Sequence, residues 1–152
     1  MGAVANVQTD ATLSGNGTGA SLLKVVGVRK CAFVYLNDGG TVIGGKYMAI
    51  AGQAAGLADG FDTLESAIQV PMPFAGTFKN LYVNQIASAA SSTITLRKNA
   101  ASTALAVSTT LNTISVVSDT VDTVAVVAGD LVCYLLTNTG FSGQIAVEFD
   151  PT

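Results

Sequence analysis

From Leu22 onward, apolar residues recur at every second position in short runs, and polar or glycine-bearing breaks separate the runs. Ile94 and Leu96 alternate with Thr93, Thr95 and Arg97; the break Lys98-Asn99-Ala100-Ala101-Ser102 follows, and the pattern resumes with Leu105 and Val107. A period of two marks a half-buried strand, and a break containing Asn predicts the loop of a hairpin. The run 31–36 closes on the turn signal Asn37-Asp38-Gly39-Gly40, and 41–50 resumes the extended pattern. Pro71 and Pro73 suit a sheet edge or a crossover. Further runs at 76–86, 113–117, 120–127, 131–136 and 143–149 are punctuated by Ala128-Gly129-Asp130 and Asn138-Thr139-Gly140. Residues 51–65, with three glycines, predict a loop or a short helix.

The count is roughly eight to ten strands at the spacing of sandwiches and barrels. No helix-period segment lies between them, which excludes a parallel α/β sheet. The expected fold is all-β, an antiparallel jelly-roll sandwich with an extended N-terminal arm. The arm is residues 1–21, where Val4, Val7 and Leu13 are scattered ahead of a Gly-rich linker; the sandwich is 22–152. Strict alternation along 76–86 puts Phe78, Asn80 and Tyr82 on one face and Leu81 and Val83 on the other. The expected core is Phe78, Leu81, Val83, Ile94, Leu96, Val124, Val126, Leu131, Tyr134 and Phe149, shared between two packed sheets.

Composition sharpens this picture. Hydrophobic residues are 49%, mean hydropathy is +0.51 and charged residues are 11%, against about 25% charged in a typical soluble domain. So little charge predicts a surface largely committed to subunit contacts, with an unusually neutral monomer as the alternative. The most apolar stretch, 48–58, is interrupted by Gln53 and glycines and is too short to span a bilayer as a helix. With no Trp to form an aromatic girdle, a membrane barrel is not expected either. The N-terminus lacks the basic region and apolar core of a secretory signal, so synthesis in the cytoplasm without processing is expected. A net charge of −3 and only two adjacent basic pairs, Arg29-Lys30 and Arg97-Lys98, argue against nucleic acid or an acidic membrane as partner.

The candidate chemistry is sparse. The chain has no His, which removes Ser-His-Asp and Cys-His catalysis and most zinc designs. Cys31 and Cys133 sit in apolar runs and read as reduced core residues, a single disulfide being the alternative. The cluster Asp59, Asp62, Glu65 lacks the ligand pattern of a calcium loop and reads as turn capping. Asp119 and Asp122 read as guards of a strand edge, and Asp130 as a turn residue holding local backbone N–H groups. The Gly-rich segment 14–19 lacks the Lys and Ser/Thr of a phosphate loop. No catalytic residue, cofactor or metal is expected.

The C-terminal pattern AGTFKNLYV (75–83), ITLRKN (94–99), SDTVDTVAVVAGDLVCYLL (118–136) and SGQIAVEF (142–149) resembles small tailed-phage virion jelly rolls of the capsid decoration or cement type, and trimeric modules of the tumour-necrosis-factor and C1q type. The resemblance covers roughly residues 70–150 and rests on turns. It implies a non-enzymatic structural protein of the virion, a homotrimer on the capsid surface with the major capsid protein as partner. A trimeric fibre head or receptor-binding module of a phage tail or bacterial appendage is the alternative. The expected interface residues are Val4, Val7 and Leu13 of the arm, with Tyr82, Tyr134 and Phe141, since aromatic side chains concentrate at interface cores. A carbohydrate-acting jelly roll would want aromatic platforms that this chain lacks. Treatment with a chelator is expected to leave the melting temperature unchanged, because a structural ion would add its binding free energy to stability.

Overall fold

The computed structural model describes residues 13–14, 24–25, 31–37, 46–50, 61–88, 91–137 and 141–152. Its strands, in chain order, are β1 (Leu13–Ser14), β2 (Lys24–Val25), β3 (Cys31–Asn37), β4 (Lys46–Met48), β5 (Phe61–Asp62), β6 (Val70–Pro71), β7 (Gly76–Ser88), β8 (Thr93–Lys98), β9 (Ala101–Ser108), β10 (Ser115–Val126), β11 (Leu131–Leu136) and β12 (Phe141–Pro151). A single 3-10 turn, Glu65–Ala67, is the only helical element among the described residues.

The framework strands pair as nested hairpins. The strand β8 pairs with β9, β7 with β10, β4 with β11 and β3 with β12, every pair antiparallel. Successive pairs alternate between two sheets, ordered β3-β12-β7-β10 and β4-β11-β8-β9; β5 extends the second beyond β4, and β6 pairs β11. A long hairpin rolled over itself in this way is a jelly roll. The expected all-β antiparallel fold is therefore observed. In the stretch assigned to the arm, Leu13–Ser14 pairs with Lys24–Val25 as a two-stranded ribbon, while Val4 and Val7 lie outside the described residues.

Each sheet buries one face against the other. Phe78, Leu81, Val83, Ile145, Val147 and Phe149 of the first sheet meet Met48, Ile94, Leu96, Val132, Tyr134 and Leu136 of the second, all at most 1% exposed. The Phe78 and Phe149 rings pack with centroids 4.7 Å apart, tilted by 46°. Of the expected core, Leu131 is the exception: it is 38% exposed, because Val132 and Tyr134 take the inward positions of β11.

Strict alternation fails along β7, and one residue accounts for it. Asn80 adopts φ 51°, and the register with β12 steps from Val147↔Leu81 to Glu148↔Lys79, so Asn80 is an inserted residue. This bulge lets Phe78 and Leu81 both point inward, and it sends Tyr82 outward, away from the face of Phe78. The β8–β9 connection is also tighter than the five-residue break predicts. Asn99 and Ala100 both have positive φ (50° and 64°) and form a two-residue turn between the paired Lys98 and Ala101, the backbone form that suits the twist of a hairpin.

Gly143 faces the interior at a second register shift, between Ser142 and Gly143. A Cβ there would run into the Asn84 carbonyl oxygen and stand 2.9 Å from the Phe141 ring. Gly143→Ala is expected to destabilise the fold by about 1–3 kcal/mol, the usual cost of overpacking. Thermal unfolding should report a loss of about 2–4 °C per kcal/mol.

Candidate functional site

Among the described residues, Glu65, Arg97, Cys133, Asp119 and Asp130 are engaged in structure. The 3-10 turn places Glu65 over the second sheet, where Arg97 Nε and Nη2 donate to its two carboxylate oxygens at 2.7 and 2.9 Å. Gln69 Nε2 and the Cys133 thiol donate to Glu65 Oε1 at 3.3 and 3.5 Å, and the Arg97 guanidinium lies 5.4 Å from the centroid of the Tyr47 ring. The hydrogen bonds and charge of Arg97 hold the Glu65 carboxyl below its ordinary range. Cys133 is free and buried, and loss of solvation together with the neighbouring Glu65 charge pushes its thiol up to about 12, the opposite of an activated nucleophile. Asp62 is paired with Tyr47 in the backbone register, Asp59 lies outside the described residues, and no group of three or more Cys, Asp or Glu able to hold a metal occurs among the described residues.

The turns that carry the sequence resemblance bind one another. Asp130 accepts from the Val127 N–H at 2.9 Å and from Asn99 Nδ2 at 2.7 Å, and pairs with Lys98 at 3.2 Å. These partners, led by the Val127 N–H, hold the Asp130 carboxyl low. Asn99 then grips the start of β11, its Oδ1 accepting from the Leu131 N–H at 2.9 Å and its own N–H donating to the Leu131 carbonyl at 2.8 Å. The expected role of Asp130 as a turn residue holding a local backbone N–H is thus observed, and the β8–β9 turn adds Asn99 and Lys98 as further partners. Gly129 supplies the φ of +90° that this turn requires.

Asp119 is held by its own turn. It accepts from the N–H groups of Val121 and Asp122 at 3.1 and 3.0 Å and, across the gap between sheets, from Ala106 on β9 at 3.2 Å. Desolvation acts to raise its carboxyl, but these three N–H groups outweigh it and leave it lowered. Residues 120–122 are extra in the register of β10 opposite β7 and form an outward excursion with Val121 near its tip, 86% exposed.

What remains for contact with another molecule is a surface. The outward positions of the first sheet are Tyr82, Asn84 and Ile86 on β7, Val116 and Ser118 on β10, and Gln144 and Ala146 on β12, with Ile114 one residue before β10. Exposure is 45% at Tyr82, 48% at Ile86, 80% at Ile114 and 66% at Val116. None of these positions is charged. Charge begins only at the far end of the sheet, where Lys79 pairs with Asp150 and lies 3.7 Å from Glu148.

Of the expected interface residues, Tyr82 is on this face. Leu13 is in the β1–β2 ribbon and is not brought onto it by any described pairing. Tyr134 and Phe141 require correction: both are fully enclosed in the chain's own core, because the inward positions of β11 and β12 fall on them. Neither is available at a surface. Sequence reading missed Ile86, Ile114 and Val116. The segment Ile114-Ser115-Val116-Val117 is apolar on both parities, and only the pairing with β7 decides that Val117 packs on the core while Val116 faces out.

No protein-family model matches this chain, and no curated protein sequence matches it.

A pH dependence follows from Glu65. Its folded carboxyl is more acidic than the unfolded one at about 4.3, so its contribution to stability is complete above that value and lost as pH falls through the lowered folded one. Denaturant midpoints should therefore fall in acid below about pH 4. Arg97→Gln should shrink that fall, because the pairing that separates the two states is gone.

Proposed function

We propose that this chain is a non-enzymatic virion structural protein, a capsid decoration subunit that self-associates as a trimer and binds the capsid lattice from outside. The observation that carries the reading is the uncharged stretch of the outer face of β7, β10 and β12 away from the Lys79 ion pairs, with Tyr82, Ile86, Ile114 and Val116 exposed on it. Contiguous exposed apolar patches mark interaction sites, and association there leaves no charge stranded in an interface. Among the described residues, Glu65, Arg97, Asp119, Asp130 and Lys79 are tied into turns and ion pairs, which favours a structural role over an enzymatic one. Made in the host cytoplasm, the subunit would add to a lattice of the major capsid protein, with residues 1–21 as an arm that strengthens three-point attachment through effective concentration.

Light scattering should report a trimer at micromolar concentration, and the purified protein should co-sediment with capsids that lack it. Ile114→Asp combined with Val116→Asp should weaken self-association by at least about tenfold, through charge buried without a partner, while circular dichroism stays unchanged. A monomer that ignores capsids would end this reading. A trimer that ignores capsids but binds cells would transfer it to the fibre-head module.

A further inference from the structure

The outer face of the second sheet differs from that of the first, because the chain covers it. Residues 63–69 leave β5 beyond β4, cross the outside of β11 to bring Glu65 to Arg97 on β8, and return alongside β11 as β6. Beneath this crossing lies a small apolar cluster of its own, Ala49, Ile68 and Cys133, with Tyr47 and Val70 packed against it. Cys133 points away from the sandwich interior, since its neighbours Val132 and Tyr134 belong to the main core, yet it is fully buried. The crossing is what buries it.

The crossing is lightly attached for a segment that seals so much. Its flanking strands contribute two register pairs each, Tyr47↔Asp62 and Met48↔Phe61 at one end and Leu131↔Pro71 and Val132↔Val70 at the other. Between them the described contacts that hold it on the sheet are Ile68, the Cys133 thiol on Glu65, and the two-point Glu65–Arg97 pair, both of whose side chains are 13% exposed. Segments with few buried contacts open locally at lower free energy than the whole domain.

We propose that residues 63–69 are a latch that opens as a unit while the sandwich stays folded, with the Glu65–Arg97 pair as its catch. Closed, it hides Cys133 and the Ala49–Ile68 cluster. Open, it uncovers a thiol and an apolar strip, so that the second sheet then also offers an apolar outer face. Removing Glu65's charge leaves Arg97 to its β8–β9 turn partners, Ser102 and the Ala100 carbonyl, and takes away the charge-assisted bonds that hold the crossing, which favours the open form.

The test is alkylation of the whole protein by iodoacetamide in native buffer, in which sulfur displaces iodide, scored at Cys133 by peptide mass so that Cys31 is counted separately. The labelling rate at Cys133 should be nearly flat across urea concentrations below the unfolding transition, because little surface is exposed by a local opening. Glu65→Gln should raise that rate about tenfold, the size expected for losing a charge-assisted pair. Ile145→Val, which weakens the main core away from the latch, should leave the rate unchanged. A rate that climbs with urea along the global unfolding slope would overturn the proposal. So would a rate that follows the lost stability of Ile145→Val, indifference to Glu65→Gln, or a Cys133 that the reagent reaches only after global unfolding.

Discussion

The first sheet depends on one inserted residue in its central strand. β7 lies between β10 and β12, so its inward row must serve the whole width of the core. Without the bulge at Asn80, the turn of alternation that buries Phe78 would send Leu81 and Val83 to solvent. The extra residue also explains its surroundings. Asn80 Nδ2 donates to Glu148 at 2.7 Å, fixing the bulge to β12. On the other side β10 answers with the excursion at 120–122, whose capping carboxylate, Asp119, reaches the edge strand β9 of the opposite sheet. A local irregularity in one strand thereby helps close the sandwich along one side.

Among the described residues, the paired charges join segments distant in sequence. Glu65 with Arg97 fastens the crossing to the second sheet, Lys98 with Asp130 joins two turns, and Lys79 ties two carboxylates of β12 to β7. Such pairs contribute modestly to stability where they are exposed, but each marks a place where one loop must sit on another. Their location leaves the middle of the first sheet's outer face without charge. The two outer faces thus differ: residues 63–69 cover part of one, while Tyr82, Ile86, Ile114 and Val116 are exposed on the other.

The reactive groups are arranged against reactivity. Cys133 is enclosed and its thiol is made less acidic by burial and by Glu65. Burial likewise pushes the phenol of Tyr134 up, in the centre of the core. Gln85 continues the inward row of β7 fully buried, and its Nε2 donates to the Thr110 carbonyl at 2.7 Å. The amide nitrogen of Gln85 thus finds a backbone partner, whereas its Oε1 and the Tyr134 hydroxyl are buried without a hydrogen-bond partner among the described residues.

The sequence by itself determined the strand content, the antiparallel class, most of the core and the turns at Asn99 and Asp130, because these follow from period-two alternation and from residues with strong local preferences. It also determined that histidine chemistry is impossible, since composition alone decides that. Tertiary structure decided which of two apolar neighbours faces inward, as at Val116 and Val117, and where alternation breaks, as at Asn80. It placed Tyr134 and Phe141 inside and left Tyr82 outside, although all three are aromatic residues in strand patterns. It also brought Glu65 to Arg97, 32 residues away. Local pattern specifies that a strand has two faces; only pairing with partners far along the chain specifies which face meets the other sheet.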